Sequence, residues 1–227
     1  MELRDALRTT GSIRRFTDQP VADREIAAIL DDARFAPSGG NRQAWGVIVV
    51  KDPTRRAAVA QAYLDAWHDY VAQLLAGLSP FSPLASEAER RDARARRDAA
   101  VARSNPAGFP ETFADVPAML VVLADLRVLA ATDRDLERYQ LVGGASVYPF
   151  VWSVLLAARD RGLGGVMTTV AIANEPALRA ALGVPEHFAV ATVVALGYPA
   201  TRHTKLTRRP VSDFATVDHF DGRAFGL

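Results

Sequence analysis

The ten residues from Ala36 to Trp45, APSGGNRQAW, break the chain between two unlike patterns. Before them Ile26, Ile29, Leu30 and Ala33 recur at helical spacing, with Asp23 placed to cap the start. Directly after them runs the unbroken apolar stretch Val47 to Val50, part of a buried strand from Trp45 to Val50. The connection must satisfy its own backbone groups. Pro37 fixes φ and ends the helix, while Gly39 and Gly40 let the backbone come close to a flat ligand. Ser38, Asn41 and Gln43 supply short donors and acceptors. These residues suit the edge of a heteroaromatic ring, and they equally suit an ordinary helix-to-strand turn.

The rest of the chain continues the alternation of helix and strand. Asp52 and Pro53 open a long helix with Val59, Ala62, Tyr63, Ala66, Tyr70 and Leu74 on one side, a face that reads as core. Residues 77 to 112 form a charged excursion: Pro80 and Pro83 break the pattern, and Glu87 to Arg103 reads as a solvated helix rather than a substrate lid. Pro117 to Leu123 reads as a strand. A long central helix is expected from Asp135 to Arg161, kinked or interrupted at Pro149. Gly162, Gly164 and Gly165 come near a dinucleotide-binding fingerprint but follow a helix instead of a strand, so that reading fails. Asn174 is expected to cap a short helix, Glu175 to Leu182, which Gly183 ends, and Val190 to Leu196 is a further strand. The tail beyond Pro210 has no period of its own and carries the isolated Phe214, Phe220 and Phe225.

Composition excludes several classes of function. At 227 residues and 49% hydrophobic, the chain can bury one large core. A formal charge of +1 lacks the basic excess of a nucleic-acid binder. No apolar run approaches the ~20 residues that span a bilayer, and the charged start MELRDALRTT points to the cytoplasm. The absence of Cys removes disulfides and thiolate chemistry, and His68, His187, His203 and His219 are too scattered to suggest a metal site. No nucleophile elbow, Walker loop or H-E-x-x-H is present.

Upstream of the loop, Ser12-Ile13-Arg14-Arg15-Phe16 sets a hydroxyl beside guanidinium groups, an arrangement that suits phosphate. Four segments occur in order: TGSIRRF (10 to 16), APSGGNRQAW (36 to 45), ARDRGLGG (158 to 165) and LTRRP (206 to 210). Together they resemble the nitroreductase family of FMN-dependent oxidoreductases, across nearly the whole chain except residues 77 to 112. The resemblance implies a single α+β domain, 1 to 227. Its fold would be a three-layer α/β/α sandwich with a mostly antiparallel sheet, a long central helix at a homodimer axis, and a C-terminal arm (206 to 227) reaching the partner subunit. It implies FMN as cofactor, NAD(P)H as electron donor and a nitroaromatic, quinone or similar small molecule as acceptor, with ping-pong turnover and no protein group as catalyst.

By motif position, Ser12 and Arg208 would hold the phosphate, and Arg14 would bind phosphate or lie near flavin N1 and O2. Pro37, Ser38, Gly39 and Asn41 would border the ring from the other subunit, and Gln43 would orient their loop. Thr168 and Thr169 would pass beside N5 and O4. Two arginines of the family pattern are Thr10 and Gly11 here, so part of the phosphate grip is missing, and Ala44 replaces a proline. Two alternatives stay open: a flavin-holding protein of the same fold without turnover, and an all-helical module interacting through Arg90 to Arg103.

Overall fold

The apolar runs at 47 to 50, 117 to 123 and 190 to 196 become strands in the computed structural model, which describes residues 1–226. The strands β1 (Trp45–Val49), β2 (Ala118–Asp125), β3 (Gly164–Thr168) and β4 (Phe188–Gly197) form one sheet in the order β1-β2-β4-β3, every neighbouring pair antiparallel. β2 and β4 occupy the centre and are apolar on both faces because both faces are covered. On one face Met119, Val121, Leu123, Val193 and Ala195 pack against α3 (Pro53–Leu75) and α7 (Glu175–Leu182). On the other, Leu120, Val122, Val194 and Leu196 meet α2 (Asp23–Ala33) and α6 (Tyr148–Asp160). The result is an α+β three-layer sandwich. Among the described residues no helix is long and apolar enough to cross a membrane.

Local chemistry explains most of the element ends. The Asp52 carboxylate accepts from the Arg55 N–H at 2.9 Å, with Pro53 first in α3, and Gly183 ends α7 in the left-handed conformation. Three expectations need correction. Asp23 does not cap α2: it is the first helical residue, and its carboxylate pairs with Lys51. Asn174 stands at the cap position of α7 but makes no side-chain capping bond; the neighbouring Glu175 carboxylate instead accepts from Val190 N at 2.7 Å.

The third correction is the central helix, which begins at Tyr148 rather than near Asp135. Pro149 falls in its first turn, where a missing N–H costs nothing. Residues 135 to 141 are loop, and Val142–Ser146 is a 3₁₀ turn. Asp133 organises this loop. Its buried carboxylate accepts from Leu141 N at 2.7 Å and from Val142 N, and it pairs with Arg138 at 2.9 Å. Those N–H donors hold its pKa below the usual range. The excursion from 77 to 112 forms α4 (Glu87–Arg94) and α5 (Arg97–Val101), and it folds back onto α3. Arg97 reaches Asp69 at 2.9 Å and Asp65 at 3.5 Å, and Ala93 and Ala100 are buried.

One corner of the sheet is floored by glycine. A Cβ on Gly164 would stand 2.8 Å from Ile13 Cγ1, and one on Gly197 would stand 2.7 Å from both Phe16 Cδ1 and Pro117 Cγ. The chain after α1 (Leu3–Thr9) therefore lies directly on the sheet corner, with Ile13 N–H donating to Gly165 O at 2.9 Å and Thr17 N–H to Tyr198 O at 2.8 Å. We expect Gly164→Ala to destabilise the protein by about 1–3 kcal/mol through overpacking against Ile13. Gly46→Ala, whose Cβ meets nothing closer than 3.7 Å, should cost much less. Urea denaturation of the two variants checks this, and equal costs would show that the corner is not tightly packed.

Candidate functional site

The loop before β1 is built by its own polar side chains. Ser38 Oγ accepts from Gln43 N at 3.0 Å, and Gln43 Nε2 donates to Asn41 Oδ1 at 3.3 Å. Gly39 N–H donates to Ser146 Oγ at 3.0 Å, tying the loop to the start of α6, where the Trp45 and Phe150 rings stack at 4.9 Å. Gly40, Asn41 and Gln43 all have positive φ, at 60°, 53° and 49°. For Asn41 and Gln43 this is uncommon backbone, of the kind that concentrates at ligand sites. Pro37, Gly39, Asn41 and Gln43 are exposed, and Ser38 is half-buried. Behind the loop, Asp125 N–H donates to Ala44 O at 2.7 Å, and the Arg127 guanidinium holds the Asp125 carboxyl down at about 2.

A second group gathers at the opposite edge of the sheet. Ser12 and Arg14 are exposed on the segment that lies along the glycine-floored corner. Thr168 is the buried last residue of β3, its carbonyl accepting from Thr192 Oγ1 at 2.9 Å, and Thr169 follows it, exposed. The Tyr63 ring is buried against Phe113 and Phe109, at 4.5 and 6.1 Å, and its hydroxyl faces Thr168 and Arg14. Burial raises the Tyr63 pKa, so the phenol is a neutral donor near neutral pH. Arg14 also opens onto a cleft of about 950 Å³ lined by Phe16, Asp18, Arg56, Phe109 and Asp115. The Phe109 wall of that cleft belongs to the 77 to 112 excursion.

Arg208 is exposed, and its guanidinium donates to Thr207 O at 2.7 Å; no hydrogen bond joins it to Ser12 among the described residues. The segment leading to it does pass close to Gly11. Arg202 donates to Gly162 O at 2.7 Å and to Leu163 O at 3.3 Å, and His203 and Leu206 lie against Gly11.

The two groups do not meet within one chain. The loop enters β1 at Trp45, and Thr168 ends β3 level with Val193, Val121 and Ile48, with β2 and β4 between the two. Three strand spacings separate β1 from β3, roughly 14 Å. One ring of flavin size cannot bridge that gap through the sheet. Pro37, Ser38, Gly39, Asn41 and Gln43 thus stand at one edge of the sheet, and Ser12, Arg14, Thr168 and Thr169 at the other. Sequence reasoning missed Tyr63, which reads as one more apolar position on α3, and Ser146, which sits among residues expected to be helical. The only signal for either is a hydroxyl where the pattern asks for none.

The described residues contain no group of three or more His, Asp or Glu placed to hold a metal ion. Residues 7–198 match the model of the nitroreductase family. A protein of Thermus thermophilus named NADH dehydrogenase is 29% identical over 201 residues, covering 88% of this chain and 88% of its own. The 5,6-dimethylbenzimidazole synthase of Rhodospirillum rubrum is 28% identical over 201 residues, covering 84% of this chain and 79% of its own. Among solved structures, iodotyrosine deiodinase bound to FMN and 3-iodo-L-tyrosine superposes with a TM-score of 0.66 at 19% identity, covering 96% of this chain and all of that one. That likeness is one of fold.

If Ser146 fixes the loop, Ser146→Ala should leave the Gly39 N–H unpaired and cost about 0.5–1.5 kcal/mol. Amide exchange in residues 38 to 43 should accelerate while exchange in β2 stays slow. Unchanged protection of the loop would mean that its shape does not depend on Ser146.

Proposed function

The chain belongs to the nitroreductase family, and we propose that it works as an FMN-dependent NAD(P)H oxidoreductase, a homodimer with one FMN across each half of its interface. The acceptor is a nitroaromatic, a quinone or a similar small molecule. The observation that carries this reading is the division of the candidate residues between opposite sheet edges: each half-site is incomplete, and a second copy of the chain supplies the other half. Exposed apolar side chains are available to bury in such an interface, among them Tyr139, Leu141 and Tyr148 near the start of α6 and Phe214, Phe220 and Phe225 in the tail.

The donor set fits the cofactor. Ser12 and Arg14 are exposed on the segment bonded to Gly165 of β3, and neither arginine of that segment is ion-paired among the described residues. Ser12 and Arg208 hold the phosphate, and Arg14 places a fixed positive charge beside the pyrimidine end of the ring. From the partner, the loop 37 to 43 borders the ring, with the left-handed Gly40 bringing backbone close without a side chain in the way. The neutral Tyr63 hydroxyl supports Thr168 from beneath. When bound, FMN supplies the redox chemistry, accepting hydride from NAD(P)H and passing it to the acceptor. The cleft beside Arg14, walled by Phe109, admits the two substrates in turn.

Three outcomes test this. Arg208→Ala should weaken FMN binding by about 1.5–3 kcal/mol, the scale of a charged hydrogen bond, while Arg209→Ala should cost little; fluorescence titration of the flavin reads both. FMN affinity should fall when the dimer is diluted into monomer, and flavin that binds equally well to monomer would overturn the shared site. NAD(P)H should bleach the bound flavin anaerobically before any acceptor is added, with parallel double-reciprocal lines in steady state. Converging lines would show both substrates bound together, and bleaching by neither nicotinamide would favour a flavin-holding protein without turnover.

A further inference from the structure

We propose that His203 is a specificity-determining residue that, with Ser12 and Arg208, lets this chain distinguish FMN from an uncharged flavin; the proposal rests on the cofactor reading above. Position 11, next to Ser12, carries no side chain, and the space a side chain would need is taken from elsewhere in the sequence. A Cβ on Gly11 would stand 2.9 Å from His203 Cδ2 and 3.0 Å from Leu206 Cδ2. The imidazole therefore lies against the backbone immediately before Ser12, in the region a residue at position 11 would otherwise fill.

Three features make it an anion ligand rather than a packing residue. The ring is exposed, and no side-chain hydrogen bond or ion pair engages it among the described residues, so its N–H groups are available. Its position is fixed from one side, because the preceding Arg202 is anchored on the carbonyls of Gly162 and Leu163. The segment around it is uniformly basic: Arg202, His203, Lys205, Arg208 and Arg209 occur between residues 202 and 209 with no acidic residue among them. None of these side chains forms an ion pair among the described residues. A phosphate monoester placed at Ser12 meets this uncompensated charge, and the imidazole packed against the neighbouring Gly11 supplies an N–H donor to it. The uncharged hydroxyl of riboflavin gains nothing comparable.

The test is the ratio of dissociation constants for FMN and riboflavin, measured by flavin fluorescence on full-length protein stripped of cofactor and reconstituted. His203→Ala should weaken FMN about tenfold, the equivalent of one charge-assisted hydrogen bond, and leave riboflavin unchanged. His203→Gln, which keeps a donor, should restore part of the difference. Gly11→Ala should displace the ring and reproduce the loss through a second route. Equal weakening of FMN and riboflavin in His203→Ala would reduce His203 to a packing role, and an unchanged ratio would also overturn the assignment. Wild-type protein that takes up neither flavin would overturn the cofactor reading and the role of His203 with it.

Discussion

The contact between residues 13 to 16 and the sheet corner at Gly164 and Gly197 is the constraint that fixes where Ser12 and Arg14 stand. Ile13 and Phe16 come closer to the sheet than any side chain at 164 or 197 would allow. Because that segment is pinned by backbone bonds to Gly165 and Tyr198, Ser12 and Arg14 are presented by rigid backbone at the edge of β3. Rigid presentation matters for a binding site, since a guanidinium held in place loses less freedom on meeting its ligand. Glycine here serves close approach, with no left-handed turn involved; at Gly40 and Gly183 it serves the turn.

The second constraint is the central ladder of β2 with β4. Covered on both faces, these strands cannot open to admit a ligand, so everything that binds must bind at an edge or an end. The sheet order puts β1 and β3 at the two edges, and the loop before β1 and the end of β3 both point toward the same end of the sheet. A chain of this topology can carry two halves of a site and cannot close them on itself. A site that used both groups would need a second copy of the chain, as the proposed homodimer supplies.

Much of the fold was legible in the sequence because the signals were local. Unbroken apolar runs marked three of the strands, and Asp52-Pro53 and Gly183 marked helix ends through chemistry that acts within one turn. What failed was non-local. Residues 135 to 147 have helical composition in places, but the Asp133 carboxylate offers Leu141 and Val142 better acceptors than a helix would, and no periodicity reports that. Asp23 had a cap residue's identity and spent its charge on Lys51 instead. The strand β3 was hidden because Gly164 and Gly165 have almost no strand propensity; their value lies in what packs over them.

For the candidate site, the sequence named residues but not their partition. Ser38 and Ser12 look alike on paper, yet one builds a loop by accepting from Gln43 while the other stays open to ligand. Tyr63 looked like core and is core by its ring, with only the hydroxyl turned toward Thr168 and Arg14. The overall charge of +1 concealed the local balance as well, because the acidic residues that offset the arginines lie elsewhere and leave 202 to 209 uncompensated. Among the described residues the segment 202 to 209 carries five basic side chains and no ion pair, so an anion is favoured beside it. The same geometry that denies position 11 a side chain brings His203 of that segment against the backbone at Gly11.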